Sequence, residues 1–300
     1  MPQRIGKSDI GKSLDRGPRE FKTHVVEKEG NVMLVAEKRV IVTHPSNSIK
    51  NVARLMREYD FRRIPVTNPQ RRLEGMAVAI DILDFLGGGE KYNIILLDYG
   101  GNFLSAINCP ISKIMTRAEF LEKKASIDDV VDIIMKKHTS AIPIVEDKES
   151  RKVIAIVTER DILPFADEFG ISVGDAMQKE TITSSPGMMI SDVSKIMVRN
   201  RLRRLPVIQE EKVIGIVTVF DVLKFLGYGE FKGIDAEEIL SSRVEKIMEK
   251  KTITLSPEQD LAEVSRLVKD TGIGGFPVVE DNRLVGIVTT SDIIREIYNR

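Results

Sequence analysis

Along the chain, apolar residues recur at three- and four-residue spacing in SIKNVARLMREYD (48–60), SIDDVVDIIMKKH (126–138), MISDVSKIMVRN (189–200) and LAEVSRLVKDTG (261–272). That spacing predicts four amphipathic helices, with Ser, Asp or Pro near each start. A short β-type run around a proline follows each one: Pro65, Pro143, Pro206 and Pro277. Next comes a polar break such as EDK, QEEK or EDN, then a second β-type run such as VIGIVT. The two runs predict a hairpin. An aspartate closes each hairpin 15 to 18 residues after its proline: Asp81, Asp161, Asp221 and Asp292. A second amphipathic helix is expected after it, as in DVLKFL.

The same unit is thus written four times. Units 1 and 3 carry a double arginine before the proline and continue alike, as DILDFLGGGE and DVLKFLGYGE; units 2 and 4 place small residues there. The order is therefore (1–2)(3–4), an arginine-bearing and a small-residue unit in each half. A sheet that is apolar on both faces cannot be buried by one unit, which predicts that units pair. Lead-in segments ISKIM (111–115), VGDAM (173–177) and VEKIM (244–248) precede three of the units. TITSSP and TITLSP lead into units 3 and 4 as a strand and helix start. The expected division is a flexible arm over 1–25, then units over 26–90, 91–167, 168–230 and 231–300.

Composition narrows the function. Lys+Arg and Asp+Glu are equal at 45 each, so the chain lacks the basic excess of a general nucleic-acid or membrane-surface binder. With no long apolar run, a cytoplasmic location is expected. Cys109 stands alone, and His24, His44 and His138 lack metal-ligand spacing, so neither a disulfide nor a zinc site is expected. No nucleophile–base pair and no phosphate-loop pattern is present, and Gly87–Gly89 reads as a helix stop; no catalytic residue is assigned.

The Thr-x-x-Asp ending the hairpins has two readings. As structure, the aspartate is an N-cap. As a site, a helix N-terminus with a hydroxyl donor suits phosphate, and a carboxylate suits the paired hydroxyls of a ribose. Arg62, Arg63, Arg203 and Arg204 supply cations for the phosphate; their alternative is a solvated helix end.

Helix, x-x-Pro-Val, turn, h-x-Gly-Ile-Val-Thr-x-x-Asp, helix resembles the CBS domain, over about residues 25–300. Four such domains are similar to the γ subunit of AMP-activated protein kinase. The resemblance implies an α+β fold of α/β CBS units, in which two Bateman modules form a flat pseudo-symmetric disc with nucleotide clefts where units meet. It places ribose on Asp81, Asp161, Asp221 and Asp292. Phosphate falls to Thr158, Thr218, Thr289, Ser291, Arg160 and the four paired arginines, and adenine to a pocket of Thr139, Ala141, Ile273 and Gly275. Val78 stands where the other units have threonine, so the site of Asp81 is expected to be weaker than those of Asp161 and Asp292. Ala155 replaces Gly75, Gly215 and Gly286, a change expected to matter less. The implied protein is a non-catalytic sensor of AMP, ADP and ATP, with no other cofactor. A kinase or enzyme subunit as partner, and a homodimer, are compatible with it. The alternatives are an S-adenosylmethionine-binding regulator and a scaffold whose aspartates are only caps.

Overall fold

The computed structural model describes residues 32–225 and 240–298. The expected arm over 1–25, and the end of the unit 3 motif with the start of the 231–300 unit, lie outside the described residues.

The four periodic segments are the helices Ile49–Tyr59, Ile127–Lys137, Ile190–Asn200 and Leu261–Thr271. Three of the four starts follow from capping; Met189, before Ile190, makes no side-chain cap. Ser48 accepts the Asn51 N–H, Ser126 forms a reciprocal box with Asp129, and Asp260 accepts the Ala262 N–H. Each ends on a left-handed residue, Asp60, His138, Arg201 or Gly272, which turns the chain into its hairpin.

Strands β1 (Arg63–Thr67) and β2 (Leu73–Val78) form the unit 1 hairpin. In unit 2, β3 (Leu121–Glu122) runs parallel to β4 (Ala141–Val145), which pairs with β5 (Val153–Thr158). Unit 3 has β6 (Arg204–Gln209) and β7 (Lys212–Thr218), and unit 4 has β8 (Gly275–Glu280) and β9 (Arg283–Thr289). In units 1, 3 and 4 the parallel lead-in strand shrinks to one bridge: Thr43 to Val66, Ser184 to Val207 and Leu255 to Val278. Register brings the chemistry together. The residue two before each proline pairs with the one three before each aspartate: Arg63 with Val78, Ala141 with Thr158, Arg204 with Thr218, Gly275 with Thr289.

Units pair by two different surfaces. Sheets join 1 to 2 through Arg72–Lys152 and 3 to 4 through Lys212–Arg283. A small apolar cluster of Leu73, Val145 and Val153 also joins 1 to 2, and the two larger clusters join 1 to 3 and 2 to 4. Leu83 and Phe85 share one core with Val193, Met197 and Leu223; Ile134 and Ile142 share another with Val264, Phe276 and Ile293. The pairing expected from the bare sheets thus occurs twice, within a module by strands and between modules by helices.

The lead-in segments are exchanged between the units of a module, which no local pattern announces. Thr116, which precedes unit 2, pairs with Met76 of unit 1; Gln178, which precedes unit 3, pairs with Ile287 of unit 4; and Glu249, which precedes unit 4, pairs with Ile216 of unit 3. The fourth lead-in is Val32–Glu37, whose Glu37 pairs with Ile156 of unit 2.

This crossing explains the glycines. A Cβ added at Gly75, Gly215 or Gly286 would lie 2.9, 2.7 or 2.9 Å from the carbonyl oxygen of Thr116, Glu249 or Gln178, with Met115, Met248 and Met177 also against it. At Ala155 the crossing chain carries Ala36 where the others carry methionine, and both alanines are buried. The alanine departure is thus matched by a smaller residue on the crossing segment. Gly→Ala ordinarily stabilises by about 0.4–1 kcal/mol where the backbone allows it. Gly286→Ala is expected to do the opposite and cost about 1–3 kcal/mol as overpacking, read as a lower denaturant midpoint at unchanged slope. A stabilised variant would contradict the crossing.

Unit 2 departs from the expected second helix. Asp81, Asp221 and Asp292 stand in the first turn of helices (Ala79–Leu83, Val219–Phe225, Thr290–Tyr298), but Asp161 lies in a turn that no helix continues. Pro164 is the cause, since it restricts the residue before it and cannot donate to a helix. In unit 1 the helix runs into a wide turn over Asp84–Gly88, and Gly87 at φ 128° ends it, as the glycine run implied. Cys109 is buried, and burial pushes its thiol up, as suits an inert residue.

Candidate nucleotide site

The aspartates are not N-caps. In units 3 and 4 the helix starts two residues earlier, at Val219 and Thr290, so Asp221 and Asp292 lie within the first turn. Asp221 Oδ2 accepts the Thr218 N–H at 2.8 Å and its hydroxyl at 2.6 Å, while the Asp221 N–H donates to Thr218 Oγ1 at 3.3 Å. In unit 3 Thr-x-x-Asp is therefore a capping box with threonine as the cap. Asp292 accepts from Thr289 N and Oγ1 at 2.8 and 2.7 Å, and Asp161 from Thr158 N and Oγ1 at 2.7 and 2.8 Å. The three hydroxyls expected to donate to phosphate donate instead to their own aspartates.

Beyond that box the four carboxylates divide into two kinds. Asp292 is 0% exposed; its Oδ1 meets Arg295 Nη1 at 2.9 Å and Gln178 Nε2 at 3.2 Å. Asp81 is 1% exposed and lies 2.7 Å from Lys91 Nζ and 3.3 Å from Arg201 Nη1, while its Oδ2 has no hydrogen-bond partner among the described residues. Asp161 and Asp221 are half-buried, with Oδ2 held by threonine. Burial pushes both of their carboxyls above the usual range, against the threonine hydrogen bonds that lower them. Donors facing such an oxygen would satisfy it. Asp292, expected beside Asp161 as a strong site, is thus a closed ion pair; Asp81 is ion-paired through Oδ1 with its buried Oδ2 unpartnered among the described residues; and Asp221 shares the half-buried setting of Asp161.

The arginines meet at the junction of the four units. Arg63 Nε donates to Ser140 Oγ at 3.1 Å, Arg204 Nη1 to Gly275 O at 2.7 Å, and Arg160 Nη2 to Gly272 O. Arg62 lies over the Phe220 ring at 5.3 Å, and Arg203 Nη2 is 3.5 Å from Glu159 Oε2. Burial first, then the other arginines, pushes Arg204 down to about 9 and Arg63 to about 10; Arg62 is also lowered. The lowering of these three therefore reflects first the cost of burying a charge and then that of crowding cations together.

Of the expected adenine pocket, Ala141 is buried opposite Thr158, with Thr139 Oγ1 donating to the Ala141 carbonyl at 3.2 Å. Ile273 lies exposed on the surface. The space over Gly275 is not free: a Cβ there would lie 2.8 Å from Arg204 Nη1. The room expected from its missing side chain is filled by that guanidinium. Ser291 does not await a phosphate either; its hydroxyl donates to Glu159 Oε1 at 2.6 Å.

Sequence reasoning passed over several of these groups. Arg295, three residues after Asp292 on one helix, carries a readable signal. Lys91, Arg201 and Glu159 have none. Lys269 is another: its ammonium lies 3.1 Å from the Phe165 ring centre, and burial lowers it to about 8 while Asp161 opposes that shift. Among the described residues no helix is long and apolar enough to cross a membrane, and no cluster of three His, Cys, Asp or Glu could hold a metal.

Four hairpin units, each closing on Thr/Val-x-x-Asp and paired in two ways around one centre, define a tandem-repeat protein of two paired modules. The chain belongs to the CBS domain family, which matches residues 32–88, 111–168, 173–228 and 244–299. Protein MJ1225 of Methanocaldococcus jannaschii is 35% identical over 276 residues, covering 88% of this chain and 98% of that protein. Its crystal structure, described as that of a candidate archaeal homologue of γ-AMPK, aligns with a TM-score of 0.84 over 89% of this chain and 99% of that one. A 33.4 kDa protein encoded in a ribosomal RNA operon of Thermofilum pendens is 25% identical over 85% of this chain and 87% of its own length.

Proposed function

We propose that this chain is a non-catalytic regulatory protein that binds AMP, ADP and ATP, with ribose on Asp161 and Asp221 and phosphates directed to the arginine centre. The observation that carries the reading is the convergence of Arg62, Arg63, Arg160, Arg203 and Arg204; burial first and then neighbouring arginines lower Arg62, Arg63 and Arg204, and among the described residues Glu159 is the one acid that acts on all three. A polyphosphate supplies the missing negative charge, and the bidentate fork of arginine suits it. The similarity to MJ1225 supports the same reading. Such a sensor acts by binding its ligands unequally in two states; a kinase or enzyme subunit, or a second copy of the chain, is the kind of partner that would read the difference.

The test is thermal unfolding with AMP, ADP, ATP and S-adenosylmethionine. At a hundred times the dissociation constant, a ligand of the folded state adds about 2.7 kcal/mol, which raises the midpoint by several degrees. The phosphorylated ligands are expected to give that rise. A shift with S-adenosylmethionine alone would replace the reading, and no shift with any ligand would leave a scaffold.

A further inference from the structure

Glu159 is the anomaly of the centre. It is 7% exposed, and it is the acid whose charge acts on Arg62, Arg63 and Arg204 alike. Its two oxygens hold two groups suited to phosphate from two other units: Oε1 takes the Ser291 hydroxyl of unit 4 at 2.6 Å, and Oε2 lies 3.5 Å from Arg203 of unit 3. It stands in Thr158-Glu159-Arg160-Asp161, two residues before a half-buried aspartate, so a ligand seated on Asp161 has this carboxylate as its neighbour. The other units carry Ala79, Val219 and Thr290 at that position, none of them charged.

We propose that Glu159 is a tethered anion that occupies the phosphate-binding groups of the arginine centre and competes with phosphorylated ligands for them, so that it sets how much negative charge a ligand must bring. Two anions cannot share Ser291 and Arg203 in a centre of low dielectric without strong repulsion. A phosphate must therefore displace the carboxylate, whereas a ligand without phosphate leaves it in place. In exchange, Glu159 neutralises part of the arginine repulsion in the free protein. The inference rests on the proposed function for its adenine ligand but not for its anion.

The experiment is calorimetric titration of the wild type, Glu159→Gln and Glu159→Asp with ATP, adenosine and inorganic tripolyphosphate, with melting of each free protein. Glutamine keeps an oxygen for Ser291 and removes the charge; aspartate keeps the charge but draws it back by one methylene. Glu159→Gln is expected to bind ATP and tripolyphosphate roughly tenfold or more tightly, because a like-charge contact is removed, and to melt lower without ligand. Glu159→Asp should fall between it and the wild type. Tighter tripolyphosphate binding without any ATP or adenosine binding would uphold the competitor and refute the nucleotide sensor. Unchanged or weaker tripolyphosphate binding by both variants would overturn the competitor, whatever ATP does.

Discussion

Asp161→Asn and Asp221→Asn are each expected to cut nucleotide affinity at their own site by roughly 10- to 150-fold, the worth of hydrogen bonds to a charged group. Free-protein stability should hold or rise. The amide oxygen still accepts from the threonine, which in unit 3 remains the helix cap, and the variant removes a carboxylate whose ionisation burial opposes. Asp292→Asn should show the reverse. It breaks the contact with Arg295, costing about 1–3 kcal/mol of stability, and leaves nucleotide affinity alone. The pH sign follows from the raised carboxyls of Asp161 and Asp221. A ribose diol needs the ionised form, so affinity is full above the raised pKa and is lost as pH falls through it. That loss sets in above the range of an ordinary aspartate. Titration and melting of the three variants check the pattern; an Asp292→Asn protein that alone loses affinity would reverse the assignment.

The double variant Arg63→Gln/Arg204→Gln should lose ATP affinity by about 100-fold or more while adenosine binding changes little, since two charge-assisted contacts to phosphate go at once. Its unliganded form should melt higher than the wild type. Folding lowers Arg204 to about 9 and Arg63 to about 10, so the cost of carrying these charges is fully present below pH 9 and is relieved only as pH rises through those values. Glutamine removes the charge and still reaches toward the Gly275 carbonyl and Ser140 hydroxyl. A variant that keeps ATP affinity, or melts lower when free, would show the arginines to be structural.

The repeat itself was legible because each unit carries two periodicities in fixed order, a helix spacing and then a pair of β-type runs. The arginines and aspartates were legible as a group because hairpin register sets Arg63 and Arg204 across from the residues that precede Asp81 and Asp221. What the sequence hid came from far along the chain. Arg201 reaches Asp81 from another unit, and the lead-in exchange is a property of paired units. Two misreadings were local and avoidable. Pro164 forbids in unit 2 the helix inferred from DVLKFL in unit 3. Reading aspartate as the cap overlooked that Thr-x-x-Asp satisfies the helix start with threonine first. Gly275 failed for a third reason: space left by a missing side chain belongs to whichever neighbour reaches it, here Arg204.

The most direct test of the central claim is calorimetric titration of the wild-type chain with ATP near neutral pH. Binding at micromolar affinity or better, about −8 kcal/mol or stronger, with two equivalents per chain that fall to one in either Asp161→Asn or Asp221→Asn, is the expected result. No heat of binding, or a stoichiometry indifferent to both substitutions, would contradict it.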